Sequence, residues 1–372
     1  MDLTPGTLNG PQDIIAALPG IFGFYPQEST VIVGIYPADS DGTTRLGPVM
    51  RADLAHTHHI LPALIDTPGG ECIAFYAVII SRIPNSTLVE ETKELLFNFS
   101  SAEGTSLIDA CWHVSEIAHG TPYTIVFGPN PAHLAHVDRG EEWISGTVPC
   151  VVSSPSMKPL LHNGALPELD RADTFRFFEA WDDIDPTHPD CDPAAAARRA
   201  TELALLRDTD TATLAAEIDN ACAMLHELRP RPMIHEVARP GRASIFAHPG
   251  DGVDLAAMLA MRWSRDLLVI DALKSPQSAA AALLWVAKAY RGEIRANALT
   301  LWATVATSRH LSSWAVVALS CAQEEVPGHS LSELLLTMLH NGLQENLVET
   351  AESGCAMAWA VFDTARATLG GE

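Results

Sequence analysis

The chain of 372 residues is long enough for two domains, and with 47% hydrophobic and 19% charged residues it reads as a folded globular protein, not a disordered one. Its net charge of −23 has no Lys/Arg cluster to set against it beyond Arg198 and Arg199, which argues against nucleic acid and against an anionic membrane surface as partners. Seven cysteines without a C-x-x-C pair offer neither a disulfide framework nor a zinc knuckle, no apolar run reaches the roughly 18 residues of a bilayer span, and residues 1–10 lack the features of a secretory signal, so a cytoplasmic protein with mostly reduced, buried cysteines is expected.

Pro11, Gln12 and Asp13 open a short helix, Ile14 to Leu18, which Pro19 and Gly20 are expected to end. The run Ser29 to Tyr36 is β-branched enough for a buried strand, Asp41-Gly42 marks a turn, and Leu46 to Leu54 returns as its hairpin partner. Cys72 to Ile80 is almost wholly apolar and reads as a central strand. A helix over Ser86 to Phe99 and strands over Leu107 to Val114 and Tyr123 to Phe127 complete an α/β or α+β sheet domain over residues 11–150.

Residues 151–250 are a mixed stretch of linker and helices. Glu168 to Trp181 carries an aromatic face of Phe175, Phe178 and Trp181; an acidic loop runs from Asp182 to Pro193; helices follow over Ala194 to Leu206 and Thr211 to Leu228; and Arg229 to Asp251 reads as an extended excursion. Residues 251–351 form an all-helical bundle. Apolar residues from Leu255 to Leu273 recur at the spacing of one amphipathic helix, followed by helices over Gln277 to Tyr290, around Ile294 to Val305, around Leu311 to Leu319, and from Leu331 to His340 with Ser330 and Glu333 at capping-box spacing. Trp285 to Tyr290, Gly292, Ala298 and Trp302 fit one period of a tetratricopeptide-like repeat, but no second period follows, so a compact bundle and a true repeat both stay open, with Trp285, Trp302 and Trp314 assigned to the core.

The phrases Asp13 to Pro19, Gly23 to Ser29 and Arg51-Ala52-Asp53-Leu54, with Leu107 to Trp112, Tyr290-Arg291-Gly292 and Pro327 to Leu331, together resemble an actinobacterial family described as a domain of unknown function (DUF) 4192. The resemblance runs from about Pro11 to Gly342. It implies an α/β front half and a helical back half, and brings no reaction, cofactor or catalytic residue with it.

Candidate sites are few. His56, His58 and His59 follow the second strand, where imidazoles two apart on an extended segment share a face; a solvated loop is the favoured reading over a metal site. Asp182, Asp183, Asp185, Asp190 and Asp192, with His188 and Cys191, give a short-spaced oxygen-rich loop, but the glycine and terminal Glu of a calcium-binding helical hand are missing and interleaved prolines favour an exposed turn. His226-Glu227 and His235-Glu236 begin like a zincin, yet Pro230 and Arg239 stand where the second histidine belongs. No hydrolase elbow, phosphate loop or dinucleotide fingerprint is present, and no cofactor signature.

Glu28, Arg51 and Asp53 remain the ligand-binding candidates, because an Arg and an Asp two apart on a strand point to one face, as an ion pair or as the lining of a pocket; Trp112 and His113 are a weaker version of the same idea. The leading expectation is a non-enzymatic protein whose helical half contacts a protein partner, self-association included. The alternative is an enzyme or small-ligand binder with its pocket at the strand ends of the sheet domain.

Overall fold

The computed structural model describes residues 10–37, 45–66, 72–101, 104–130, 140–182, 188–228, 233–234 and 244–369. The chain divides into two compact units, Met1–Lys158 with Pro167–Arg171, and Pro159–Leu166 with Ala172–Glu372.

The first unit is built on a six-stranded mixed sheet of order β2-β1-β3-β4-β5-β6, with β1 Ser29–Tyr36, β2 Arg45–Asp53, β3 Ala74–Ile80, β4 Ala110–Val114, β5 Pro122–Phe127 and β6 Ser145–Thr147. The expected strands are present and β1–β2 is the expected antiparallel pair; the turn at Asp41-Gly42 lies outside the described residues. Among the described strands β3 and β4 are the one parallel pair, and the helix Thr87–Asn98 lies between them in the chain, as a parallel crossover requires. Val31, Ile32 and Val33 on β1 and Ala77 to Ile80 on β3 are at most 1% exposed, so both sheet faces are covered there, which is why these strands read as unbroken apolar runs. Pro48 is tolerated because β2 is an edge strand, and the pairing slips in register beside it.

Three helices of this unit are α1 Pro11–Phe22, α2 Pro62–Asp66 and α3 Thr87–Asn98; α3 is capped by Ser86, whose Oγ accepts from the Val89 amide at 3.3 Å. Contrary to expectation α1 does not stop at Pro19. It continues one turn and ends at Gly23, which takes φ 77° and donates its N–H to the Pro19 carbonyl. Gly20 is a packing glycine and not a helix stop, since a Cβ there would lie 2.6 Å from the Ser156 backbone. β6 and the short helix α4 Gly140–Ile144 were not legible in the sequence.

The helical unit follows. After α5 Lys158–His162 come α6 Arg171–Phe178, α7 Pro193–Thr209, α8 Thr211–Glu227, α9 Asp251–Leu259, α10 Arg262–Leu267, α11 Val269–Lys274, α12 Pro276–Ala289, α13 Gly292–Ser308, α14 Ser312–Glu325, α15 Ser330–His340 and α16 Gln344–Leu369. α13 is the central element, buried almost continuously from Arg295 to Thr307. Its hydroxyls are satisfied internally: Thr300, Thr304 and Thr307 each donate to a carbonyl one turn back. Trp285, Trp302 and Trp314 are fully buried, as expected. The aromatic face of α6 differs from expectation: Phe177 and Phe178, not the 175/178/181 set, pack against Trp302 and Trp314, at ring distances down to 4.8 Å.

The stretch Leu255 to Leu273 is three helices, not one. Met261 is extended, and the Ser264 hydroxyl takes up the Met258 carbonyl at 2.6 Å, ending α9. The second break follows Leu267, whose carbonyl is taken by Trp359 Nε1 at 3.2 Å and by the Cys355 thiol. The N-cap of α15 is His329 and not Ser330, so the capping box with Glu333 does not form. Successive helices of 14, 17, 14 and 11 residues are followed by one of 26. Among the described residues no helix is long and apolar enough to cross a membrane.

Candidate functional site

Of the three candidates of the sheet domain, Arg51 and Asp53 pair with each other, while the Glu28 carboxylate is engaged by Ser81 and Arg82. Glu28, at φ 41°, accepts the Leu54 amide on its carbonyl, while its carboxylate accepts from Ser81 Oγ at 2.8 Å and from the Arg82 amide at 3.0 Å. It therefore ties the start of β1 to the chain leaving β2 and β3. Arg51 Nη2 meets Asp53 Oδ1 at 2.5 Å, its Nε donates to Ser29 Oγ at 2.9 Å, and its guanidinium carbon stands 5.8 Å from the Phe24 ring centroid. Burial lowers the Arg51 pKa, against the upward pull of Asp53. Trp112 is buried with Nε1 donating to the Trp143 carbonyl, and His113 donates to the Ser81 carbonyl, its pKa lowered by burial.

His56, His58 and His59 lie on a 3₁₀ helix, Leu54–His59, and not on an extended segment. Three residues per turn eclipses positions i and i+3, so the exposed rings of His56 and His59 stack at 5.5 Å, while Thr57 between them is buried on Thr30 Oγ1 and the Leu54 carbonyl. Among the described residues no group of three or more His, Cys, Asp or Glu side chains is arranged to hold a metal ion.

The acidic loop is not simply an exposed turn. Asp183 and Asp185 lie outside the described residues, as does His235-Glu236. Asp190, however, has no exposed surface: its Oδ1 accepts the amides of Gly250 at 2.7 Å and Gly252 at 3.2 Å, its carbonyl accepts from Tyr290 Oη, and its Oδ2 has no partner among the described residues. A carboxylate on the first amides of α9 satisfies both the orphan donors and the helix dipole. Beside it, Asp192 caps α7 through the amides of Ala194 and Ala195, and burial pushes the Cys191 thiol up to about 11.

In the helical unit a cavity of about 340 Å³ opens between α7, α8 and α9. Its rim is dominated by carboxylates. Arg199 is spent on them, with Nη2 at 2.5 Å from Glu217, Nε at 3.0 Å from Asp254 and Nη1 at 3.2 Å from Glu202, which leaves Glu227 and Asp251 to make the lining net negative above a floor that includes Leu203 and Met258. Arg295 is likewise a structural tie: it donates to the Phe178 and Ala287 carbonyls and stands 3.0 Å from Glu325, whose other oxygen accepts the Gly292 amide.

Two histidine clusters complete the inventory. His329 is buried and accepts on Nδ1 from the Ser332 amide; an acceptor at Nδ1 leaves the proton on Nε2, which donates to Asn297 Oδ1 at 2.9 Å, beside the Arg265 guanidinium on the same oxygen. The second cluster joins the last turn of α8 to the α11–α12 junction. Ser275 Oγ lies 2.8 Å from His226 Nδ1, and His226 Nε2 lies 3.2 Å from Asp271 Oδ1, which also accepts from Lys274 Nζ at 2.8 Å. Burial pushes the Asp271 carboxyl up, but hydrogen bonds from Lys274, His226 and the Cys222 thiol outweigh it and hold the group below its usual value.

This second cluster was missed in the sequence. Its members are 45 and 49 residues from His226, and the local phrase Lys274-Ser275-Pro276 announces only a helix start. No curated protein and no solved structure matches the chain. Residues 11–346 match the model of the family described as a domain of unknown function (DUF4192), and the chain belongs to that family.

Proposed function

We propose that the chain acts through protein contacts of its helical half, with self-association through α16 as the first of them. One observation carries this reading. α16 turns Leu347, Cys355 and Phe362 inward, and its exposed surface holds an uncharged strip, from Thr350 through Ser353, Gly354, Met357 and Val361 to Thr364, bordered by the exposed Glu349, Glu352 and Asp363, with Met357 71% and Val361 64% exposed. In a chain of net charge −23, an uncharged strip is where a second copy approaches at least Coulomb cost. α16 lies almost wholly beyond the family match, which ends at residue 346.

Sedimentation velocity over a range of concentrations tests the reading. A dimer that tightens with added salt, as screening relieves repulsion, and that is lost in the Met357→Glu/Val361→Glu double variant is the expected result. A wild-type chain that stays monomeric at every concentration and salt would overturn it.

The second reading, a small-ligand binder, is favoured by the cavity between α7, α8 and α9 and not by the strand ends of the sheet. Its negative lining suits a small organic cation, and titration calorimetry with putrescine decides: saturable heat lost in Glu217→Gln supports it, and no heat rejects it.

A further inference from the structure

We infer that Ser275, His226 and Asp271 form a nucleophile, base and carboxylate set able to cleave a short-chain carboxylic ester. This goes beyond the contact reading, and its test is blind to oligomeric state.

The protonation states follow from the partners. Asp271, held ionised by its three donors, can only accept, so the proton of neutral His226 sits on Nε2 and points at Asp271 across 3.2 Å. Nδ1 is left as the acceptor for the Ser275 hydroxyl at 2.8 Å. That is the chain of bonds a serine nucleophile needs: a base in contact with the hydroxyl, and an orienting carboxylate behind the base. Compared with the familiar arrangement the two ring nitrogens exchange roles. The chemistry of the imidazole is the same from either side, since the two nitrogens are conjugated.

The surroundings supply two further requirements. Ser275 occupies the N-cap position of α12, yet its side chain makes no capping bond; the oxygen is turned to His226 instead. Pro276 has no N–H, and the first amide of α12 with an acceptor is that of Ala279, on the Ser275 carbonyl. The amides of Gln277 and Ser278, two and three residues past the nucleophile, are thus left at this helix start as donors that could meet a developing oxyanion. Access is open from solvent, with the His226 side chain 31% and that of Lys274 61% exposed. The two cavities described, of about 340 and 490 Å³, have other linings, and an ester with a short acyl group is the substrate that needs none.

The step balances without any added reagent except water. Ser275 Oγ bonds to the acyl carbon as its proton passes to His226 Nδ1; the imidazolium, with both nitrogens protonated, is stabilised by Asp271. Collapse of the tetrahedral intermediate breaks the carbon–oxygen bond, the leaving alkoxide takes the proton back from Nδ1, and the acyl group stays on Ser275. Water then repeats the sequence, its proton going to His226 and its oxygen to the acyl carbon, releasing the acid and restoring Ser275.

The same three side chains also fasten α8 to the α11–α12 junction, so loss of activity in a variant would not by itself separate chemistry from architecture. The test therefore reads reactivity of the folded wild-type chain. Incubation with a fluorophosphonate, digestion and mass spectrometry should place the phosphonyl adduct on Ser275, and p-nitrophenyl acetate should be hydrolysed with turnover. His226→Gln should slow adduct formation on the order of 100-fold, the scale of general-base assistance, with an unchanged circular dichroism spectrum. Absence of an adduct on Ser275 in the folded wild type, or an adduct that forms equally fast in His226→Gln, would overturn the inference; if His226→Gln unfolds, Asp271→Asn is read in its place, with a slowing of the adduct again required.

Discussion

His329 should make stability fall in mild acid in a way that one substitution removes. The ring is 2% exposed and neutral, its Nδ1 taking the Ser332 amide at the start of α15 and its Nε2–H bonded to Asn297. Burial, then the nearby Arg265 guanidinium, lower its pKa below the ordinary 6.5. A proton on Nδ1 would lose the Ser332 amide and be left with Ser332 Oγ at 2.9 Å as its acceptor, and would place a second cation on the oxygen that Arg265 already holds at 2.7 Å. The sign follows from linkage: the native state refuses a proton that the unfolded chain accepts. The contribution is thus intact above the unfolded value near 6.5 and is lost as pH falls from there towards the depressed native value, with a slope of up to about 1.4 kcal/mol per pH unit.

Substitution sets the scale. His329→Ala removes an N-cap worth about 1 kcal/mol, a buried hydrogen bond worth about 1 kcal/mol, and ring volume in the core, together about 3 kcal/mol or more at pH 7. His329→Asn keeps a capping oxygen and does not titrate, so it should cost less, about 1 to 2 kcal/mol. Urea denaturation at pH 7.5, 6.5, 5.5 and 5.0 measures both. The wild-type advantage over His329→Asn should shrink steadily through that series. Equal pH profiles for the two proteins, or a His329→Ala cost below about 0.5 kcal/mol at pH 7.5, would refute the reasoning.

Three further predictions rest on local geometry. Gly252→Ala would place a Cβ 2.6 Å from Asp190 Cβ and 3.0 Å from the Asp190 carbonyl, so overpacking of about 1 to 3 kcal/mol should outweigh the helix gain; Gly354→Ala, in the open outer face of α16, should instead stabilise by about 0.5 to 1 kcal/mol, and thermal melts of opposite sign check both. Arg51→Ala removes the bonds to Ser29 and Asp53 and should cost about 1 to 2 kcal/mol in urea denaturation, with no change in phosphonyl labelling of Ser275; unchanged stability would show that Arg51 is not a tie between β1 and β2.

What could be read in advance followed from how local the cause was. β1 over Ser29–Tyr36 was read with its full bounds because seven of its eight residues are buried on both faces, and the β-branched run from Thr30 to Ile35 carries that signal locally. Helices α12 to α15 were found because each is an apolar stretch ended by a turn. Where a distant side chain decides, the sequence is silent. The three-way division of Leu255 to Leu273 depends partly on Trp359 and Cys355 taking the Leu267 carbonyl from about ninety residues away, and no periodicity in α10 or α11 encodes that. Asp190 is the same case: surrounded by acids and prolines it reads as solvated, and only the amides of Gly250 and Gly252, some sixty residues on, turn it into a core residue. The candidate chemistry around His226 suffers most, because each of its three members is an ordinary residue in its own context.

That ordinariness is itself informative about where free energy is given up. Ser86, Asp192, Asp210 and His329 each spend a side-chain acceptor on the first turn of their own helix. Ser275 stands at the same position and does not, although a capping bond there would be worth about 1 kcal/mol. A residue that forgoes its local optimum must be compensated by something else, and the compensation in the structure is one hydrogen bond to a partly exposed imidazole, a contact of modest net value in water. A purely structural account therefore predicts that Ser275→Ala costs close to nothing, since it removes one weak bond and no cap. If the stability cost is small and the hydroxyl is nonetheless the one serine that reacts, the arrangement is held for what the oxygen does and not for what it fastens.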